Sequence, residues 1–183
     1  MLVRLSAWLY RHSTVPLLVV SILVFALFLL VVLPREAQRS QQFLGSGPTP
    51  DTSFSYTSLE LYSMAADFGA EGRAYYIRSR FTFDLAWPAA YWLFLTVSMS
   101  AALRAVQSPA ALRPVNLLPT ASLAFDLVEN TAASMAMARF PEEPGIFGPV
   151  ASLSTSLKWV SIAACFAALS MLAVIYVLRR LRS

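Results

Sequence analysis

VPLLVVSILVFALFLLVVL, residues 15–33, is apolar throughout except for Pro16 and Ser21. About 20 such residues, wound as a helix, span the ~30 Å hydrocarbon layer of a bilayer. A secretory signal would carry a shorter apolar run closed by a small-x-small cleavage site. This run closes instead on Leu33-Pro34-Arg35-Glu36. It therefore reads as a retained transmembrane helix, and it places the chain among α-helical integral membrane proteins.

Composition agrees. Of 183 residues, 57% are apolar and 13% charged, with a mean hydropathy of +0.60, against about 45–50% and about 25% in average soluble domains. Lys158 is the only lysine among 14 basic residues, an Arg bias that points to a GC-rich bacterial genome. The basic residues lie beside apolar runs and form no block of their own, which argues against a nucleic-acid partner. Cys165 and His12 each stand alone. An intrachain disulfide, a CxxC redox pair, a Cys- or His-built metal site and a Ser-His-Asp triad are thereby excluded. No cofactor is implied.

Outward from the first span, the sequence predicts one membrane domain over residues 1–183, an all-α bundle of four helices. The spans fall at about 15–33, 81–103, 115–137 and 153–178. Residues 1–12 form an amphipathic lead-in, and residues 179–183 a basic tail. Residues 34–80 form a long, partly helical loop. Within it, Thr57-Ser58-Leu59-Glu60 has the capping-box pattern, which predicts a helix over 58–68 stopped by Gly69. A second helix starts near Ala70 and runs into the second span. The third span holds Asp126, Glu129 and Asn130. An unpaired carboxylate at a helix centre costs about 2.5–3.5 kcal/mol on insertion, so neighbouring helices must supply partners. Small-xxx-small pairs suit close helix packing: Ser98/Ala102, Ala132/Ala136, Ala163/Ala167 and Ala164/Ala168.

Orientation follows from the short segments. The N-terminus, the 104–114 connection and the C-tail hold Arg4, Arg11, Arg104, Arg113, Arg179, Arg180 and Arg182, with no acidic residue among them. The expected topology has both termini cytoplasmic, in the inner membrane of a bacterium, with the long loop outside.

The charged residues inside the spans carry what chemistry there is. Asp84, Pro88 and Tyr91 share one helix face by spacing, and Asp126, Glu129 and Asn130 share another. Both faces are expected to converge in the outer half of the bundle. Glu71, Arg73, Tyr76, Arg78 and Arg80 lie on the segment leading into the second span, where Arg78 or Arg80 could reach Asp84 or Glu129 if the loop folds down as a lid. The expected ligand-binding set is thus Glu71, Arg73, Tyr76, Arg78, Asp84, Tyr91, Asp126, Glu129 and Asn130. Asp84, Asp126 and Glu129 are the candidate acids, and no metal is expected. A purely structural ion-pair network explains the same residues. Tyr75, Tyr76, Trp87 and Trp92 read as an interfacial aromatic belt, and Lys158 as a snorkelling residue near its helix end.

The pattern Gly69-x-Glu71-Gly72-Arg73-x-x-Tyr76, Asp84-x-x-x-Pro88-x-x-Tyr91 and Asp126-x-x-Glu129-Asn130 resembles one in uncharacterised small bacterial membrane proteins, over about residues 50–136. That resemblance implies no activity. The four-helix plan is similar, in architecture only, to the emopamil-binding and sigma-2-receptor type of proteins, which place carboxylates in a pocket inside the membrane. Three functions remain open. The first is a non-enzymatic protein whose pocket binds a membrane lipid, a lipophilic small molecule or another membrane protein. The second is an isomerase or cyclase in which a buried carboxylic acid protonates a lipophilic substrate. The third is a small transporter subunit.

Overall fold

A computed structural model describes residues 1–181; Arg182, counted above in the basic tail, lies outside the described residues. Every regular element among them is helical. In chain order these are α1 (Leu2–His12), α2 (Val15–Leu44), α3 (Ser58–Asp67), α4 (Gly69–Arg80), α5 (Phe83–Ala105), α6 (Leu118–Arg139) and α7 (Phe147–Leu181). Short 3-10 turns occupy Pro50–Thr52 and Ala110–Leu117. Three rods are long and apolar enough to cross a membrane: α2, the end-to-end α4–α5 pair Gly69–Ala105, and α7.

The first rod is longer than the sequence suggests. Pro34 was expected to end it, because proline lacks a backbone donor and crowds the carbonyl four residues back. Instead the backbone widens to a π-helical turn over Phe28–Val32, where the Leu33 N–H reaches the Phe28 carbonyl. The helix then resumes over Leu33–Leu44 and ends at Gly45, whose φ of 77° suits glycine. So the first quarter of the expected loop is an extension of the span. It packs on α4, where a Cβ on Gly72 would come within 2.7 Å of the Phe43 carbonyl oxygen. Tyr75 stacks on Phe43 at 4.4 Å and donates to Glu36 at 2.6 Å, locking the same contact.

The capping box forms. Thr57 Oγ1 accepts from the Glu60 N–H at 3.1 Å, and Glu60 Oε2 accepts from the Thr57 N–H at 2.6 Å. These bonds hold the Glu60 carboxyl below its ordinary range. α3 starts there and turns into α4 at Gly69 (φ 62°). α4 and α5 are separated only by a turn at 81–82.

Packing explains the arrangement. α6 and α7 form the closest helix pair, with Ala132, Ala133, Ala136 and Ala151 buried in one core together with Leu61, Tyr76 and Met137. Small side chains let these backbones approach. Ala163 and Ala167 face outward instead, so they join no helix pair within the chain. α2 lies along α5, pinned by Phe25, which stacks on Phe94 at 4.3 Å and on Trp87 at 5.6 Å. Much of the outer flank of α2 and α7 is exposed and apolar, as at Val19, Leu23 and Leu30 and at Val160, Met171 and Val174.

One end of the bundle gathers α1, the 3-10 turn at 110–117 and the end of α7. Asn116 donates to the Ser6 carbonyl and to Ser100, each at 3.1 Å. Arg104 clamps the carbonyls of Tyr10 and Ser13, and Arg179 that of Val106. The other end gathers the end of α2, the 45–57 loop, α3, α4 and the start of α7. There Tyr56 N–H donates to Ser152 at 3.2 Å, Tyr62 donates to the Pro141 carbonyl at 3.2 Å, and Gly148 leaves room for Ser58.

Candidate functional site

A cavity of about 650 Å³ lies between α2, α5 and α7. Its apolar wall comes from Phe25, Leu29 and Leu33 on α2, Trp87 and Leu95 on α5, and Ile162 and Phe166 on α7. Charged and polar groups close one end: Glu36, Asp51, Arg80, Asp84, Asp126 and Lys158. That volume falls within the ~300–1,000 Å³ of small-molecule sites, which pair apolar walls with a few fixed polar groups. Leu29, Trp159 and Phe166 border the cavity and are themselves 49%, 38% and 45% exposed. α2 packs on α5 but has no extensive contact with α7. The cavity therefore opens sideways, between the first and last rods.

Two ion-paired triads build the polar end. Lys158 on α7 lies 2.5 Å from Glu129 and 3.2 Å from Asp126, both on α6. All three are buried, and Glu129 completely. Asn130 Nδ2 donates to Asp126 Oδ2 at 3.3 Å, fixing that carboxylate. In the second triad, Arg80 at the end of α4 bridges Asp84, at 2.7 Å, and Asp51 from the 45–57 loop. The Arg80 guanidinium lies 4.6 Å from the centre of the Tyr76 ring, a cation–π contact. Asp84 opens α5, where the positive end of the helix dipole favours an anion. Pro88, one turn on, has no N–H for the Asp84 carbonyl. Tyr91 is buried on the cavity wall, and its hydroxyl has no hydrogen-bond partner among the described residues.

Of the residues expected at a site, the structure brings Asp84, Tyr91 and Asp126 to the cavity wall, with Glu129 and Asn130 directly behind them. Tyr76 supports Arg80 from below. Glu71, Arg73 and Arg78 are elsewhere. Glu71 is exposed. Arg73 donates to the Ala65 carbonyl at 2.8 Å and lies over Phe140 at 4.3 Å, joining α3 to the end of α6. Arg78 is exposed beside the Tyr75 ring. The Gly69–Tyr76 part of the motif thus serves a helix turn, a close approach and a packing bridge.

Two expectations are corrected. Lys158 does not snorkel: it lies 12 residues into α7, on the face turned to α6, and the carboxylates of Asp126 and Glu129 hold its ammonium inside. Tyr75 and Tyr76 are buried, so the four aromatics do not form one outward-facing set. Tyr75 bonds Glu36, Tyr76 is fully buried under Arg80, Trp87 stacks with Phe25 and Phe28 on the cavity wall, and Trp92 Nε1 donates to Thr120 at 3.1 Å.

Asp51 and Glu36 escaped the sequence reading because they lie in the polar stretch far from either span. Lys158 carried a usable signal. It is the one lysine, set in an apolar helix, and a chain with two carboxylates in the preceding span needs a cation at their depth. No protein-family model, curated protein or solved structure matches the chain.

Proposed function

We propose that this chain crosses the bilayer four times and holds a lipid-like molecule in the lateral cavity, as a binding protein and not as an enzyme. The observation that carries this reading is the cavity itself, with apolar walls ending in fixed charges and an opening flanked by outward-facing apolar side chains. A molecule drawn from the surrounding lipid enters such a site without passing through water. α6 supplies the fourth crossing. Its charged face is buried against Lys158, and its other face exposes Leu127, Val128 and Met135. The paired charge offsets the insertion cost that an isolated Asp126 or Glu129 would carry.

The short basic segments orient the bundle with both termini in the cytoplasm of a bacterial cell and the Asp51 loop outside. Reporter fusions at the C-terminus and within 107–113 are expected to read cytoplasm, and fusions within 45–49 outside. A C-terminal fusion that reads outside removes the four-span topology.

Lys158 beside both Asp126 and Glu129, and Arg80 beside Asp84, weigh against the isomerase or cyclase reading, which needs an acid free to give up its proton. The test of the binding reading is to fill the cavity. Ile162 is only partly buried and lines the wall, so Ile162→Trp adds bulk where the chain of a ligand would lie. Native mass spectrometry of the wild-type protein, released from nanodiscs, is expected to show a lipophilic adduct at about one per chain. The variant is expected to fold and to lose it. Equal adducts on both proteins would overturn the reading.

A further inference from the structure

The charges around the cavity do not balance. Arg80 sits between Asp51 and Asp84, and Lys158 sits between Asp126 and Glu129. Each triad joins one cation to two carboxylates, so with every group ionised each carries one negative charge in excess. The triads are neighbours, since Asp51, Arg80, Asp84, Asp126 and Lys158 all border the same space. Among the described residues no further Lys or Arg lines it. An uncompensated carboxylate in a low-dielectric site is costly. A proton on one carboxyl of each triad would meet that excess, and so would a cation placed in the space between the triads.

The carboxylates are not grouped for a metal ion: among the described residues no three His, Cys, Asp or Glu side chains come together as a ligand set. The surroundings suit an organic cation better. Trp87 and Phe83 border the cavity next to Asp84, and aromatic faces attract ammonium groups. Tyr91 borders the same space one turn beyond Trp87. From Asp84 to Leu95 the wall follows α5 for 11 residues, roughly 16 Å of helix rise, the reach of a medium-length alkyl chain. Beyond the head region the walls are Phe25, Leu29, Ile162 and Phe166.

Resting on the binding function above, we propose that the ligand is a cationic amphiphile. Its amine or quaternary ammonium head sits between Asp84 and Asp126 against Trp87, and its single chain lies along α2 and α7. The head is the cation between the two triads, and the chain takes the place of lipid in the groove.

The test uses the full chain in phosphatidylcholine nanodiscs and three probes of equal chain length: dodecyltrimethylammonium, dodecanol and dodecyl sulfate. Specific binding is the part lost in Ile162→Trp, which cancels partition into the bilayer. The ammonium probe is expected to bind at least about tenfold more tightly than the alcohol, and the sulfate not at all. Asp84→Asn and Asp126→Asn are each expected to weaken the ammonium probe by a larger factor than dodecanol. The probe comparison on the wild-type protein stands even if a variant fails to fold. If dodecanol or the sulfate binds specifically as well as the ammonium, the cationic head is wrong and the lipid-binding cavity stands. If none of the three binds specifically, the proposal fails, and the cavity reading fails too unless the wild-type adduct is seen by mass spectrometry.

Discussion

Lys158→Met is expected to destabilise the protein by about 3–5 kcal/mol, the usual cost of stranding a buried charge whose partner has been removed. Here one ammonium compensates two carboxylates, Glu129 at 2.5 Å and Asp126 at 3.2 Å, and all three groups are buried. Methionine fills similar volume, so the loss is electrostatic and not a cavity effect. The measurement is thermal unfolding in detergent, where the variant should melt well below the wild type. A rescue separates this cause from a packing defect. Lys158→Met combined with Asp126→Asn and Glu129→Gln removes every stranded charge, and should recover most of the loss, because buried ion pairs often replace neutral groups at little net gain. A triple variant as unstable as the single one would show that Lys158 matters for its shape.

Arg80→Met is the second large effect, expected in the same range of about 3–5 kcal/mol, with a structural signature of its own. Among the described residues Arg80 is the only basic one bridging the 45–57 loop to the bundle at the cavity: it pairs with Asp51 on the loop and Asp84 on α5. Its removal strands Asp84 and releases the loop at once. Limited proteolysis should therefore cut the variant between 45 and 55 faster than the wild type, while the far end of the loop stays held by Tyr56 and by Ser156 donating to the Phe54 carbonyl at 3.0 Å. Asp51→Asn isolates the loop contribution. Asp51 is about a quarter exposed, so this change is expected to speed cleavage with a stability loss of only about 1 kcal/mol. If Arg80→Met leaves the cleavage rate unchanged, the ion pair does not hold the loop.

These expectations draw unequally on what could be read in advance. The first rod was legible because 19 nearly uniform apolar residues leave one solution in a bilayer. The α3 start was legible because a capping box satisfies its own backbone donors locally. Spacing alone placed Asp84 with Tyr91 and Asp126 with Glu129 and Asn130 on shared faces, and those residues do meet at or behind the cavity wall. The helical stretch over Leu33–Leu44 was not legible. A proline in a polar sequence normally marks an end, and only packing on α4 at Gly72 and Tyr75 makes its continuation worth the widened turn.

What the sequence by itself determined is the helical class and which helices are apolar enough to cross a membrane. An apolar run of bilayer length forces helices, local caps and glycines mark where they turn, and charges inside spans demand partners. What only the tertiary structure decided is which partners those are. Asp51 lies 29 residues before Arg80, and Lys158 lies 29 residues after Glu129, each pair joined across separate elements. Coulomb attraction in a low-dielectric interior is strong and carries no sequence-local pattern. The assignment of each cation, and the space left between the triads, therefore rests on how α4, α5, α6 and α7 pack.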